Sequence, residues 1–158
     1  MIEQLPAETL RRATVIPAGQ LDVQLLLDLP ADTPCVVVDT VAGIIPGTIV
    51  VRSLEEIIAA ARARAGAGRT PALRSSHELP LEEALALAAL LRPAPPRGTF
   101  VGVGGARFDL GADLTPAVRA ALPTVAAAIA AEVDRYAPTV ARGRSSRSSS
   151  RPARRAPA

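Results

Sequence analysis

The chain has 158 residues, near the common size of one domain and enough to bury one hydrophobic core. Aromatic residues are 2% of it, so aliphatic side chains must build that core, and the single cysteine excludes an internal disulfide and a thiolate metal cluster. The net charge of +3 does not describe the folded part: all 15 acids and twelve of the 18 basic residues, every one an arginine, precede residue 142, giving −3 there.

Strand and helix signals alternate along the chain. Residues 2 to 12 read as a short helix, Ala13 to Ile16 as a strand, Leu21 to Asp28 as a helix and Cys35 to Asp39 as a buried strand. Thr48 to Arg52 is the next strand, running into Ser53-Leu54-Glu55-Glu56, a capping box in which Ser53 and Glu56 satisfy free amides at a helix start. That helix should end near Gly66, where the missing Cβ permits a left-handed cap, and residues 66 to 74 read as a loop. Pro80 suits a first helical turn, and Leu81, Leu85, Ala88 and Leu91 then recur along one face.

After the breakers Pro93, Pro95 and Pro96 comes a strand from Thr99 to Gly104. Gly102-Val103-Gly104-Gly105 lacks both the dinucleotide spacing and the lysine of a phosphate loop, so it marks tight packing or a turn. Thr115-Pro116 opens a final helix whose stripe is Val118, Leu122, Val125, Ile129, Val133 and Tyr136, with Pro123 expected to kink or restart it. No internal repeat is present. The alternation predicts an α/β fold, a three-layer α/β/α sandwich over residues 1 to 138.

Residues 139 to 158 form a tail rich in Arg, Ser and Pro, with six arginines and no acid beyond residue 141, and this composition predicts disorder. Such a tail can bind a polyanion through phosphate contacts, but a solvated extension is the preferred reading, and nucleic acid is not the expected partner. By inspection no apolar stretch reaches bilayer-spanning length, and the N-terminus has no basic segment followed by an apolar one. A cytoplasmic monomer without a membrane partner is expected.

Two residues stand out for chemistry. Asp39 closes the apolar run Cys35-Val36-Val37-Val38-Asp39, and His77, the only histidine, precedes a helix in Ser75-Ser76-His77-Glu78-Leu79-Pro80-Leu81. A carboxylate at the carboxyl end of a strand and an imidazole at a helix entry are where an open α/β sheet places ligands. Together they offer the oxygen and nitrogen that nickel or zinc accepts, although such sites usually have three or more donors. A structural acceptor for Asp39 and a helix cap for His77 are the duller alternatives. Cys35 reads as a small buried side chain rather than a nucleophile.

These segments, in this order, resemble the hydrogenase maturation endopeptidases over roughly residues 1 to 135. The likeness runs through Val38-Asp39-Thr40, the loop Gly43-Ile44-Ile45-Pro46-Gly47-Thr48, the His77 segment, Val101-Gly102-Val103-Gly104, Phe108-Asp109-Leu110-Gly111 and Leu114-Thr115-Pro116. The resemblance implies a phosphorylase/hydrolase-like, mostly parallel sheet of five strands. It also implies an endopeptidase that removes the C-terminal extension of a nickel–iron hydrogenase large-subunit precursor after nickel insertion. The resemblance further implies that the nickel is carried by the substrate and would be contacted through Asp39 and His77; no catalytic base is assigned.

One departure matters. Family members open with a strand and a glycine-asparagine loop bearing a third metal-binding carboxylate, and no segment here matches it; Glu3 and Glu8 do not. The implied strand would be central, between residues 13 to 16 and 35 to 39, so its loss would expose unpaired edges. A gene start placed too far downstream is the simplest expectation. Its rivals are an inactive protease relative acting as scaffold or chaperone, and an unrelated α/β module with a polyanion-binding arginine tail.

Overall fold

The computed structural model describes residues 2–19, 21–67, 79–109 and 111–137. A 3₁₀ turn, Ile2–Gln4, leads to α1 (Ala7–Arg12), so the helix expected over residues 2 to 12 is broken at Pro6, which serves as the N-cap of α1. α2 (Val23–Asp28) begins where the Asp22 carboxylate accepts from the Gln24 amide at 3.0 Å. Three strands follow in the chain: β1 (Cys35–Val41), β2 (Ile49–Ser53) and β3 (Gly98–Gly104). Between β2 and β3 lie α3 (Leu54–Gly66) and α4 (Leu81–Leu91), and α5 (Pro116–Tyr136) closes the described chain.

β3 lies at the centre of the sheet, parallel to β1 and antiparallel to β2, with Val37 opposite Phe100 and Asp39 opposite Gly102. All seven of its residues are buried, because helices cover both faces. Leu26, Leu54, Ile57, Ile58, Leu85 and Phe100 form the core between the sheet and α2, α3 and α4, with Cys35, Val37 and Val41 packed against it. On the other face Val101 and Val103 meet Val118, Val125, Ile129 and Val133 of α5, with Val36 and Val38 alongside. The period-2 alternation of β1 thus sends odd residues to one helical layer and even residues to the other. The architecture is the expected three-layer α/β/α arrangement.

Ser53 and Thr115 cap as their sequence context requires. Ser53 Oγ accepts from the Glu56 amide at 3.1 Å, and Thr115 Oγ1 from the Val118 amide at 3.5 Å. Pro123 does not restart α5, which runs as one helix of 21 residues with the proline inside it. By length and composition α5 is apolar enough to cross a bilayer, correcting the expectation that no stretch is. Its inner stripe packs on the sheet instead, with Val118, Leu122, Val125, Ala126, Ile129 and Val133 buried.

The main correction concerns residues 13 to 16. They form no strand: Ala13 leaves α1 with extended backbone angles, but the run joins no ladder of the sheet. Three strands are therefore formed among the described residues, where the resemblance implied five.

Candidate functional site

The carboxyl ends of β1 and β3 meet two loops, residues 42–48 and 105–115. Their closure is set by backbone contacts at glycines. The Gly104 amide donates to Thr48 O at 2.8 Å, the Gly47 amide to Gly104 O at 2.9 Å and the Gly105 amide to Val41 O at 3.0 Å. A Cβ on Gly104 would lie 2.3 Å from Ile45 O, and Gly47 holds φ at +84°, so side chains are excluded at both positions. The Gly102–Gly105 run is thus a packing device, as its spacing indicated. It lets the 42–48 loop lie directly on β3, while the Phe108 ring approaches Gly105.

Asp39 sits in this setting, exposed, two residues before β1 ends. Its Oδ1 accepts from the Thr40 amide at 2.7 Å and from Thr40 Oγ1 at 3.5 Å. One carboxylate oxygen is thereby oriented by its own strand, and among the described residues Oδ2 has no hydrogen-bond partner. His77, like the segment Ser75 to Glu78, lies outside the described residues, so the distance between the two sequence-selected donors is not defined. Among the described residues no three His, Cys, Asp or Glu side chains converge as a metal-binding group. Around the same end of the sheet stand three exposed apolar side chains, Ile45 at 77%, Phe108 at 58% and Leu114 at 48% of full exposure. Sequence reasoning identified their loops but not this rim, because exposure of an aliphatic residue is invisible to hydropathy.

Cys35 opens β1 at the opposite end, half-buried, with its thiol donating to Arg97 O at 3.6 Å. Burial pushes the thiol pKa up, with the Arg92 guanidinium opposing and Glu55 adding to the rise. A protonated packing thiol is what its apolar run suggested. Near this end lies a polar cluster that the sequence reading missed. Thr99 Oγ1 donates to Glu132 Oε2 at 2.7 Å and lies 2.9 Å from the Tyr136 hydroxyl, and Arg135 pairs with the same Glu132 oxygen at 3.1 Å. Glu132 is buried. Its place three residues after Ile129 and four before Tyr136, on the apolar stripe, was the available signal.

A cavity of about 690 Å³ runs beside β1, from Pro34 to Asp39. It is also lined by the segment from Ala13 to Gly19, by Leu21, Leu25 and Leu26, and by Leu5, Ile129 and Val133.

A family model described as hydrogenase maturation protease matches residues 1–132. No curated protein and no solved structure matches the chain.

Proposed function

The chain belongs to the hydrogenase maturation protease family, and from that premise we propose that it takes part in cleaving the C-terminal extension from a nickel-loaded nickel–iron hydrogenase large-subunit precursor. The observation that carries this reading is the exposed Asp39 carboxylate at the carboxyl end of the parallel β1–β3 pair, one oxygen already held by Thr40. A carboxylate so placed can approach a metal ion carried by the substrate without prior desolvation. His77 is assigned the nitrogen donor on the strength of its sequence segment. The nickel is part of the substrate. The chain's own contribution is to bind the precursor around that ion, and the apolar rim of Ile45, Phe108 and Leu114 supplies area for it.

The test is processing of a purified nickel-loaded precursor, compared with the nickel-free form. Asp39→Ala and His77→Ala should each slow cleavage at least about tenfold, the scale on which disturbed metal sites respond. Thr40→Val, which keeps the Thr40 amide, should have a smaller effect. Unchanged cleavage in both variants, or equal cleavage of nickel-free precursor, would refute the assignment. Nickel-dependent binding without cleavage would favour the scaffold reading.

A further inference from the structure

β2 forms one edge of the sheet, and among the described residues no strand is paired to its outer side. Which of its backbone groups face outward follows from the ladder. The Gly104 amide donates to Thr48 O at 2.8 Å, so Thr48 and Gly104 stand opposite each other as a hydrogen-bonded pair of the antiparallel kind. That kind recurs at every second residue, at Val50 opposite Gly102 and at Arg52 opposite Phe100. Ile49 and Val51 therefore turn their N–H and C=O away from β3, and among the described residues no backbone group meets them there. The Val51 side chain, opposite Val101, is exposed beside these groups.

Two features say what belongs on this edge. β2 starts at Ile49, directly after the 42–48 loop that carries the exposed Ile45, and it runs antiparallel to β3. Its first residues therefore lie at the end of the sheet where Asp39 stands, so the edge is continuous with the candidate site and leads away from it. The edge is also short. The four outward groups of Ile49 and Val51 do not offset the freedom lost when two separate molecules associate, which argues against a second copy as the occupant. For a chain already held at the Asp39 end, the same pairing is intramolecular and four hydrogen bonds suffice.

We propose that the free edge of β2 is a second subsite for the precursor, which lays its C-terminal extension along it as an added strand parallel to β2. The inference rests on the proteolytic reading of the Asp39 site. From β1 across β3 and β2 to an added strand is three ladder spacings, about 14 Å, which takes about four extended residues to cover. Roughly the first four residues after the cleaved bond thus cross the carboxyl end of the sheet, and roughly the next four pair with Ile49 and Val51. Pairing through the main chain tolerates most sequences but not proline, and Val51 favours an aliphatic neighbour.

The experiment measures binding of the full chain to nickel-loaded precursors of three kinds. Their extensions are intact, cut to about four residues, or intact with prolines beyond about the fourth. The intact extension should bind about tenfold or more tightly than either of the others. In the free chain the Val50 and Arg52 amides should exchange slowly with deuterium and those of Ile49 and Val51 fast; the intact precursor alone should slow Ile49 and Val51 by about tenfold or more. Val51→Pro, which removes an N–H only from the free edge, should lower affinity for the intact precursor to that for the short one. The proline-bearing precursor makes the same test on the native chain should that variant fail to fold. Equal affinity for all three precursors, or slow exchange of Ile49 and Val51 in the free chain, would overturn the proposal while leaving the Asp39 reading in place. Loss of nickel dependence with the edge effects intact would overturn the Asp39 reading alone. Protection of Ile49 and Val51 that fades as the free chain is diluted would give the edge to a second copy instead.

Discussion

Arg92 shows how much one side chain can hold in a fold with so few aromatics. Its guanidinium donates to the carbonyls of Leu26, Leu27 at 3.3 Å, Leu29 at 2.7 Å and Pro30 at 3.1 Å, and its Nε to Ala94 at 3.2 Å. These are mostly the carbonyls that a helix leaves unpaired at its end, so Arg92 fastens the end of α2 to the end of α4. Charge-assisted hydrogen bonds of this kind contribute about 1.5–3 kcal/mol. Arg92→Ala should therefore lower the urea midpoint by the equivalent of about 2 kcal/mol without changing the denaturant slope. Arg92→Lys should recover less than half, because an ammonium cannot reproduce the planar fork. Full recovery by lysine would show that charge alone matters.

Cys35 gives a pH signature at the same scale. Its folded pKa lies above the ordinary thiol value of 9.0, so the folded state retains its proton to higher pH than the unfolded chain does. The resulting stability is fully present below the unfolded pKa and is lost as pH rises through the folded one. The stability difference between the native chain and Cys35→Ala should be flat from about pH 6 to 8 and shrink above about pH 9. A difference unchanged into the alkaline range would mean that the thiol is solvated in solution.

Among the elements, those fixed by local chemistry were legible in the sequence. Ser53 and Thr115 announced helix starts because a hydroxyl that satisfies free amides acts within three residues. The spacing of Val118, Leu122, Val125, Ile129 and Val133 foretold the buried face of α5 for the same reason. Ala13 to Ile16 failed as a strand because pairing is not a local property: the residue types suit a strand, but a ladder needs a neighbour. Of the candidate site, the exposed place of Asp39 near the carboxyl end of β1 was legible as a polar residue ending an apolar run. The apolar rim was not, since it depends on how glycines fold two distant loops together. Those loops carry a prediction. Ile45→Ser combined with Phe108→Ser should weaken precursor binding, raising KM about tenfold with kcat nearly unchanged, and should leave the thermal midpoint within about 2 °C because both side chains are exposed. A fall in kcat with KM constant would place the rim in the chemistry rather than in docking.

At the scale of the whole molecule, charge is divided along the chain rather than spread over it. The region before residue 142 carries −3 and the last six arginines turn the total to +3. Those arginines lie outside the described residues, and their sequence neighbours include no large apolar side chain that could anchor them beside Asp39. Precise placement of a catalytic group requires packing around it, whereas attraction toward an acidic partner requires only charge. The segment can therefore accelerate encounter but not the bond-breaking step, and exposed charges lose even that reach beyond about 8 Å at physiological ionic strength. Deleting residues 142–158 from a processing-competent protease should slow association with an acidic precursor at low salt, with the difference vanishing as salt rises. The rate at saturating precursor should not change. Stopped-flow association across a salt series, beside single-turnover cleavage, separates the two terms. Loss of cleavage at every salt concentration would make the arginines part of the site itself, and RNA co-purifying only with the undeleted chain would assign them a polyanion partner instead.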